Sequence, residues 1–295
     1  MIERAPTVPL RDWHDRLAAG AARTPLESPD GARWLTRWAL VCLIVATTLV
    51  LACGYHAGFL RLNAWAASYP DWIWQCLTVL GDERVPFALS LFFSLRYPRV
   101  FWTLILSALI AILYSRGLKE LVDSARPPGV LAADAFHLIG PGHRHHSFPS
   151  GHSVTAGVFF GVLIYHARLV EWRLLFLLLA ILAGFSRVAV GVHWPVDVAA
   201  GLLGGALAAW LGARFAARWP GPATDVSVHL AIVTLAAVLA VGLLYDDGGY
   251  PGAALMLQGL GAGALLSALL QYFVLPLWRE RRRGQGVETG RPQVS

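Results

Sequence analysis

An all-α, polytopic transmembrane helical bundle is the fold class predicted for this chain, on three observations. Hydrophobic residues make up 56% of the 295 and charged residues only 14%, with a mean hydropathy of +0.55; a soluble domain carries nearer a quarter charged residues. Several apolar runs approach the roughly 20 residues that cross a bilayer. Strand alternation is nowhere sustained, which argues against a membrane barrel.

Residues 1–36 are polar, contain proline and mix both charges. They lack the basic start, short apolar core and small-residue cleavage site of a signal peptide, so the first apolar run reads as an uncleaved anchor. Eight spans are expected, at about 37–55, 84–98, 100–118, 151–166, 172–190, 195–213, 228–246 and 251–275. Gly81-Asp82-Glu83-Arg84 interrupts the apolar stretch that begins at Trp72. Residues 60–80 therefore read as an interfacial segment, with Trp65, Trp72 and Trp74 at headgroup depth. Residues 276–295 are expected to form a basic tail, disordered after Gly284.

Arginine placement orients the bundle. Arg33, Arg37, Arg96, Arg99, Arg168, Arg173, Arg214, Arg218 and the Arg279–Arg283 cluster share one face when eight spans alternate. The positive-inside rule makes that face cytoplasmic, with both termini inside. The 119–152 loop, the 187–194 corner and the Asp246-Asp247 turn then lie outside. The net charge of +6 follows this topological pattern and does not point to nucleic acid. Gly201, Gly205 and Ala209, and likewise Gly204, Ala208 and Gly212, repeat at small-xxx-small spacing, which reads as close helix packing within the chain. Cys42, Cys53 and Cys76 follow no metal or redox spacing. Cys42 reads as buried filler, and a Cys53–Cys76 disulfide stays open.

Three polar clusters interrupt the apolar sequence on the outer face. Lys119, the only lysine, precedes Arg126-Pro127 by two helical turns, which puts both cations on one face of the third span's end. Pro127 marks the end of that helix; each cation alone has the ordinary reading of a side chain snorkelling to the interface. In Pro149-Ser150-Gly151-His152, Ser150 can cap the fourth span and Gly151 lets backbone N–H groups approach a ligand. A helix N-terminus of this kind accepts anions, although a plain Pro-Ser helix start would look the same. Ser186-Arg187 closes the fifth span, Gly191 permits a tight corner, and His193 precedes Pro195, a favoured first-turn residue. Asp197, four residues after His193, can accept the imidazole Nδ1–H and leave Nε2 electron-rich. A helix-capping aspartate beside an interfacial histidine is the ordinary alternative.

Together these residues make the sequence resemble the type 2 phosphatidic acid phosphatase (PAP2) family, related to vanadium haloperoxidases. Lys119-x6-Arg126-Pro127, Pro149 to His152, and Ser186-Arg187-x5-His193-x3-Asp197 match its three-part signature at every position, over about residues 80–213. The resemblance implies a six-helix core, to which two C-terminal spans are added, in one transmembrane domain over residues 37–275. It implies His193 as the nucleophile that forms a phosphohistidine, Asp197 as the group holding its ring, and His152 as the acid for the leaving oxygen. Lys119, Arg126, Ser150, Gly151 and Arg187 would cradle the phosphoryl oxygens. Three cations and a helix N-terminus supply the positive field that phosphoryl transfer needs, so neither a metal nor another cofactor is expected. His143, Arg144, His145 and His146 invite a metal-site reading, but no carboxylate or cysteine stands nearby; a loop lining the mouth of the site is preferred.

The expected function is hydrolysis of a lipid phosphate or pyrophosphate, with undecaprenyl pyrophosphate, phosphatidylglycerol phosphate, phosphatidic acid or lipid A as candidates. The expected location is a bacterial inner membrane, with the site facing out. The partner is the lipid substrate, and no obligate protein partner is indicated. A phosphotransferase passing the group to another lipid uses the same site. A transporter ranks lower, because transporters place their polar residues near mid-bilayer.

Overall fold

The computed structural model describes residues 10–279, and every regular element among them is helical. In chain order these are α1 (Leu10–Ala21), α2 (Pro29–Thr48, continued by a π-turn to Cys53), α3 (Phe59–Ala66), α4 (Asp71–Val79), α5 (Arg84–Ser90), α6 (Pro98–Leu121) and α7 (Pro127–Val130). They are followed by α8 (Gly151–His166), α9 (Val170–Ala189), α10 (Pro195–Arg218), α11 (Val226–Gly242) and α12 (Ala254–Leu269). Among the described residues five helical stretches are long and apolar enough to cross a membrane: Pro29–Cys53, Pro98–Leu121, Val170–Ala189, Pro195–Arg218 and Pro251–Arg279. Their outward residues, such as Leu40, Ile44, Leu113, Leu178 and Leu255, are exposed and apolar, a surface suited to lipid. The chain is a multi-pass membrane protein.

Of the eight expected spans, the second takes a different form. Helix α5 stops at Ser90, and tight turns with i→i−3 bonds (Leu91 N to Ala88 O, Phe92 N to Leu89 O, Phe93 N to Ser90 O) carry the chain on to Pro98. The Ser90 hydroxyl turns back onto the Phe87 carbonyl at 2.6 Å, competition with the backbone ladder that periodicity does not reveal. α8, with 16 residues, and α11, with 17, are shorter than the roughly 20 residues of a typical span. The basic tail beyond Arg279 lies outside the described residues.

Segment 60–80 also departs from expectation. It forms two short helices, and only Trp65 and Trp72 face outward; Trp74 is 5% exposed, and its indole N–H donates to the Ala66 carbonyl at 2.9 Å. Buried Asn63 donates to the carbonyls of His137, Val188 and Ala189 and accepts the His137 N–H. The segment thereby braces the C-terminal end of α9. The three cysteines are free, Cys42 buried and Cys53 exposed.

α10 is the most buried of the long helices and packs on α8, α6 and α2. The small-residue stripes explain why. A Cβ on Gly205 would lie 2.6 Å from the Gly157 Cα, and one on Gly201 2.7 Å from the Ser150 carbonyl, so this stripe meets α8 nearly backbone to backbone. The second stripe faces α6, where a Cβ on Gly212 would lie 2.1 Å from Ser107 Oγ. A second core joins α5, α11 and α12 around Val85, Leu91, Ala236, Leu243 and Leu257.

The helices give the bundle two unlike ends. At one end Arg99 Nη1 donates to the Thr24 carbonyl (2.5 Å), Arg168 to the Arg23 carbonyl (3.3 Å) and Trp102 to the Trp219 carbonyl (3.0 Å). The C-termini of α6 and α9 and the N-termini of α8 and α10 meet at the other end, and the three polar clusters meet there with them.

Candidate active site

The site is built on helix ends. Pro195 starts α10, and Asp197, its third residue, accepts the Trp194 N–H through Oδ2 at 2.9 Å. The aspartate that caps the helix is thus also the one beside His193, whose Nδ1 lies 3.3 Å from the same oxygen. A carboxylate only accepts, so Nδ1 carries the hydrogen and the Nε2 lone pair is left free. Both residues are buried, at 1% and 0% exposure. Gly191 makes the corner between α9 and α10 with φ +84, a conformation that costs glycine little.

Two residues that spacing did not single out complete the carboxylate's shell. Ser147 Oγ donates to Oδ2 and Tyr55 Oη to Oδ1, both at 2.5 Å. Tyr55 Oη also lies 3.2 Å from Ser124 Oγ, which accepts the Phe148 N–H. With four donors, Asp197 is held as the anion that keeps the imidazole in place. Burial is the largest influence on the His193 ring. Asp197 pulls its pKa up, but burial, with the Arg126 and Arg187 charges, lowers it to about 3. The ring is neutral at physiological pH.

Ser150 caps α8 as expected. Its buried Oγ accepts from the Ser153 N–H at 3.4 Å and the Ser153 hydroxyl at 2.9 Å, so its own proton is available to a ligand, and its N–H donates to the Asp197 carbonyl at 3.1 Å. Lys119 Nζ comes up to Gly151, where a Cβ would sit 3.7 Å from it, an ordinary contact. His152 follows in the first turn of α8, and Gly81 lies against it, since a Cβ at 81 would come within 2.6 Å of the His152 carbonyl. Next to Gly81, Asp82 pairs with Arg84 at 2.7 Å, and Arg84 pairs with Asp246 at 2.9 Å, tying the α4–α5 turn to the α11–α12 turn.

One expectation about the first cluster is corrected. Lys119 and Arg126 do not share a helix face, because α6 ends at Leu121 and Arg126 is extended, with φ −81 and ψ 164. They converge because the loop folds back. The Arg126 N–H donates to the Arg144 carbonyl and its Nε to the His145 carbonyl, both at 2.9 Å, with Nη2 3.4 Å from the His146 carbonyl. Burial first, then the Arg187 charge, lowers the Arg126 pKa to about 10, still cationic at neutral pH. Arg187, 3% exposed at the end of α9, is held by Thr78 and Tyr250.

Two cavities open on these residues. A polar basin of about 530 Å³ is lined by Lys119, Arg126, Arg116, Glu120, Arg144 and the three loop histidines. An apolar groove of about 600 Å³ runs between α5, α6, α8 and α11 past Phe87, Leu104, Ile112, Val158 and Leu235, and it ends at His152, Gly151 and Lys119. Arg116 and Lys119 line both. Among the described residues no three His, Cys, Asp or Glu side chains converge as a metal-binding group.

Fold and site together define a polytopic helical membrane protein with a buried histidine–aspartate dyad and a cationic pocket at one end of its bundle. Residues 100–221 match the PAP2 superfamily. Over 146 residues the chain is 31% identical to an undecaprenyl-diphosphatase of Sulfolobus acidocaldarius, covering 49% of this chain and 69% of that protein. The chain belongs to the PAP2 superfamily. It is also 39% identical over 127 residues to a lipid A 1-phosphatase of Rhizobium johnstonii, covering 40% of this chain and 47% of the relative. The match thus spans about half the length of that relative. The crystal structure of Aquifex aeolicus LpxE is similar with a TM-score of 0.48 and 28% identity, over 53% of this chain and 92% of that one.

Proposed function

We propose that this protein is a membrane phosphatase that hydrolyses a lipid phosphate or pyrophosphate through a phosphohistidine on His193. The observation that carries the reading is the junction of the two cavities: a cationic basin suited to a phosphorylated headgroup and an apolar groove suited to an acyl or prenyl chain share Arg116 and Lys119. The dyad is tied to the groove's end through Ser150, whose N–H donates to the Asp197 carbonyl next to Gly151 and His152. The relatives include an undecaprenyl-diphosphatase and a lipid A 1-phosphatase, which favours lipid-borne phosphate over soluble esters.

In the proposed sequence, the bound phosphoryl anion offsets the surrounding cations and lets His152 take up a proton; His193 Nε2 attacks phosphorus in line, the bond to the leaving oxygen breaks, and His152 gives that oxygen the proton. Asp197 stabilises the positive charge that forms on the ring. His152, now neutral, takes a proton from a water whose oxygen attacks phosphorus; the N–P bond breaks, releasing inorganic phosphate and restoring both histidines. Lys119, Arg126, Arg187, the Ser150 hydroxyl and the Gly151 backbone neutralise the equatorial oxygens, where preorganised donors act with little reorganisation. The chemistry asks for no metal.

The arginine-rich end of the bundle is the cytoplasmic end by the positive-inside rule. The site then opens to the extracytoplasmic side of a bacterial inner membrane, with both termini inside. Substrate would enter laterally, its chain in the groove.

The test offers purified protein a panel of lipid phosphates in detergent with EDTA, beside His193→Ala. Release of phosphate by wild type alone, with label trapped on His193, is the expected result. Release that persists in the variant sinks the mechanism, and loss of wild-type activity in EDTA sinks its independence of metal. Label passing to a second lipid in place of water would make the protein a phosphotransferase.

A further inference from the structure

We propose that Tyr250, in the turn between α11 and α12, is a positioning residue that aims one edge of the Arg187 guanidinium at the phosphoryl group. The inference rests on the reading of Arg187 as a phosphoryl ligand. Arg187 Nη1 donates to Thr78 Oγ1 at 2.5 Å and to Tyr250 Oη at 3.0 Å. Nη1 has two hydrogens, so both are used. Nε is buried and has no partner. The donors left over, Nε–H and the Nη2 hydrogen parallel to it, form the flat fork that binds two oxygens of one anion. A buried N–H without an acceptor is costly, and a phosphoryl oxygen would satisfy it.

Tyr250 is itself firmly seated. It is 5% exposed, its ring is 5.9 Å from Arg187 Cζ, and it lies so close to Gly140 that a Cβ there would sit 2.7 Å from it. Its N–H donates to the Asp247 carbonyl at 3.2 Å. Thr78 is fully buried on α4. Neither residue lies within 100–221, the stretch that matches the superfamily. The C-terminal helix pair therefore enters the site: it supplies the hydroxyl that turns Arg187, while α4 supplies the second acceptor.

Tyr250→Phe removes that hydroxyl and keeps the ring. In full-length protein in detergent, the dissociation constant for inorganic phosphate is expected to rise roughly tenfold, the scale of one hydrogen bond to a charged group. The kcat/KM for the lipid phosphate should fall by a similar factor, and the thermal midpoint should drop by only a few degrees as Nη1 loses one buried acceptor. Thr78→Val should act in the same direction. In an Arg187→Ala background, Tyr250→Phe should change phosphate affinity less than about twofold, because it acts through Arg187. Unchanged phosphate affinity in Tyr250→Phe, or an equal loss in both backgrounds, overturns the proposal, as does a wild-type protein that binds no phosphate. Wild-type protein that binds phosphate yet hydrolyses no lipid phosphate would instead remove the phosphatase reading, and the affinities would still decide the placement of Arg187.

Discussion

Two buried histidines stand at opposite ends of this bundle, and their surroundings differ in the way that separates a site from a strut. His193, 1% exposed, hydrogen-bonds a carboxylate and feels two arginine charges beside a cationic basin. His229, 3% exposed, bonds the Tyr272 hydroxyl at 2.6 Å; that hydroxyl lies 2.9 Å from Ser94 Oγ, and Trp13 stacks on the Tyr272 ring at 5.6 Å. Among the described residues the His229 ring meets only uncharged groups, the Tyr272 hydroxyl and the Phe101 ring. Burial and a good hydrogen bond are common to both residues, so neither marks function. What sets His193 apart is the carboxylate on Nδ1 together with the Arg126 and Arg187 charges acting on its ring.

The comparison can be broken most sharply at Asp197. Asp197→Asn leaves the shape but reverses the hydrogen-bond polarity at His193, and phosphate release should fall by about 10⁴-fold in kcat, on the scale of an orienting carboxylate. A loss under tenfold would mean that the carboxylate serves α10 as a cap and little more. At the other end, Tyr272→Phe should lower stability by about 1–2 kcal/mol, because His229 and Ser94 lose a shared buried partner, while kcat stays within about twofold of wild type. A thermal midpoint read beside turnover checks both, and a large drop in turnover would make the far end part of the mechanism.

The effect that vanishes at neutral pH concerns the titration of His193. His193 has its pKa lowered to about 3 in the folded protein, against about 6.5 unfolded. Between these values the unfolded chain binds the extra proton, so this group destabilises the fold as pH drops from 6.5 toward 3, by about 2 kcal/mol at pH 5. His193→Gln should accordingly flatten the fall of the thermal midpoint between pH 7 and pH 5. An imidazole NMR titration of His193 with a midpoint near 6.5 would show that burial does not govern the ring.

Much of the site could be read from spacing because it is local. His193 and Asp197 are one turn apart, Ser150 and His152 share a helix start, and Pro127 and Pro195 mark where helices end and begin. The small-residue stripes of α10 were equally legible, since a regular helix converts a four-residue repeat into a face. Lys119 and Arg126 show the limit. Seven residues suggested a shared helix face, but the loop's carbonyls offered Arg126 better partners than a continued helix could. Tyr55, Thr78, Ser147 and Tyr250 carried no spacing signal, because each meets the site only through contacts far along the chain.

By itself, then, the sequence determined that the chain crosses a membrane through helices and that its signature residues stand at the ends of those helices. Composition, hydrophobic length and helical periodicity act over a few turns, and these were enough. Only the tertiary structure decided that span two is half helix and half tight turn, that segment 60–80 is a brace, and that the C-terminal pair reaches Arg187. Those outcomes depend on which buried donor finds which acceptor, and that pairing is settled only when distant segments pack together.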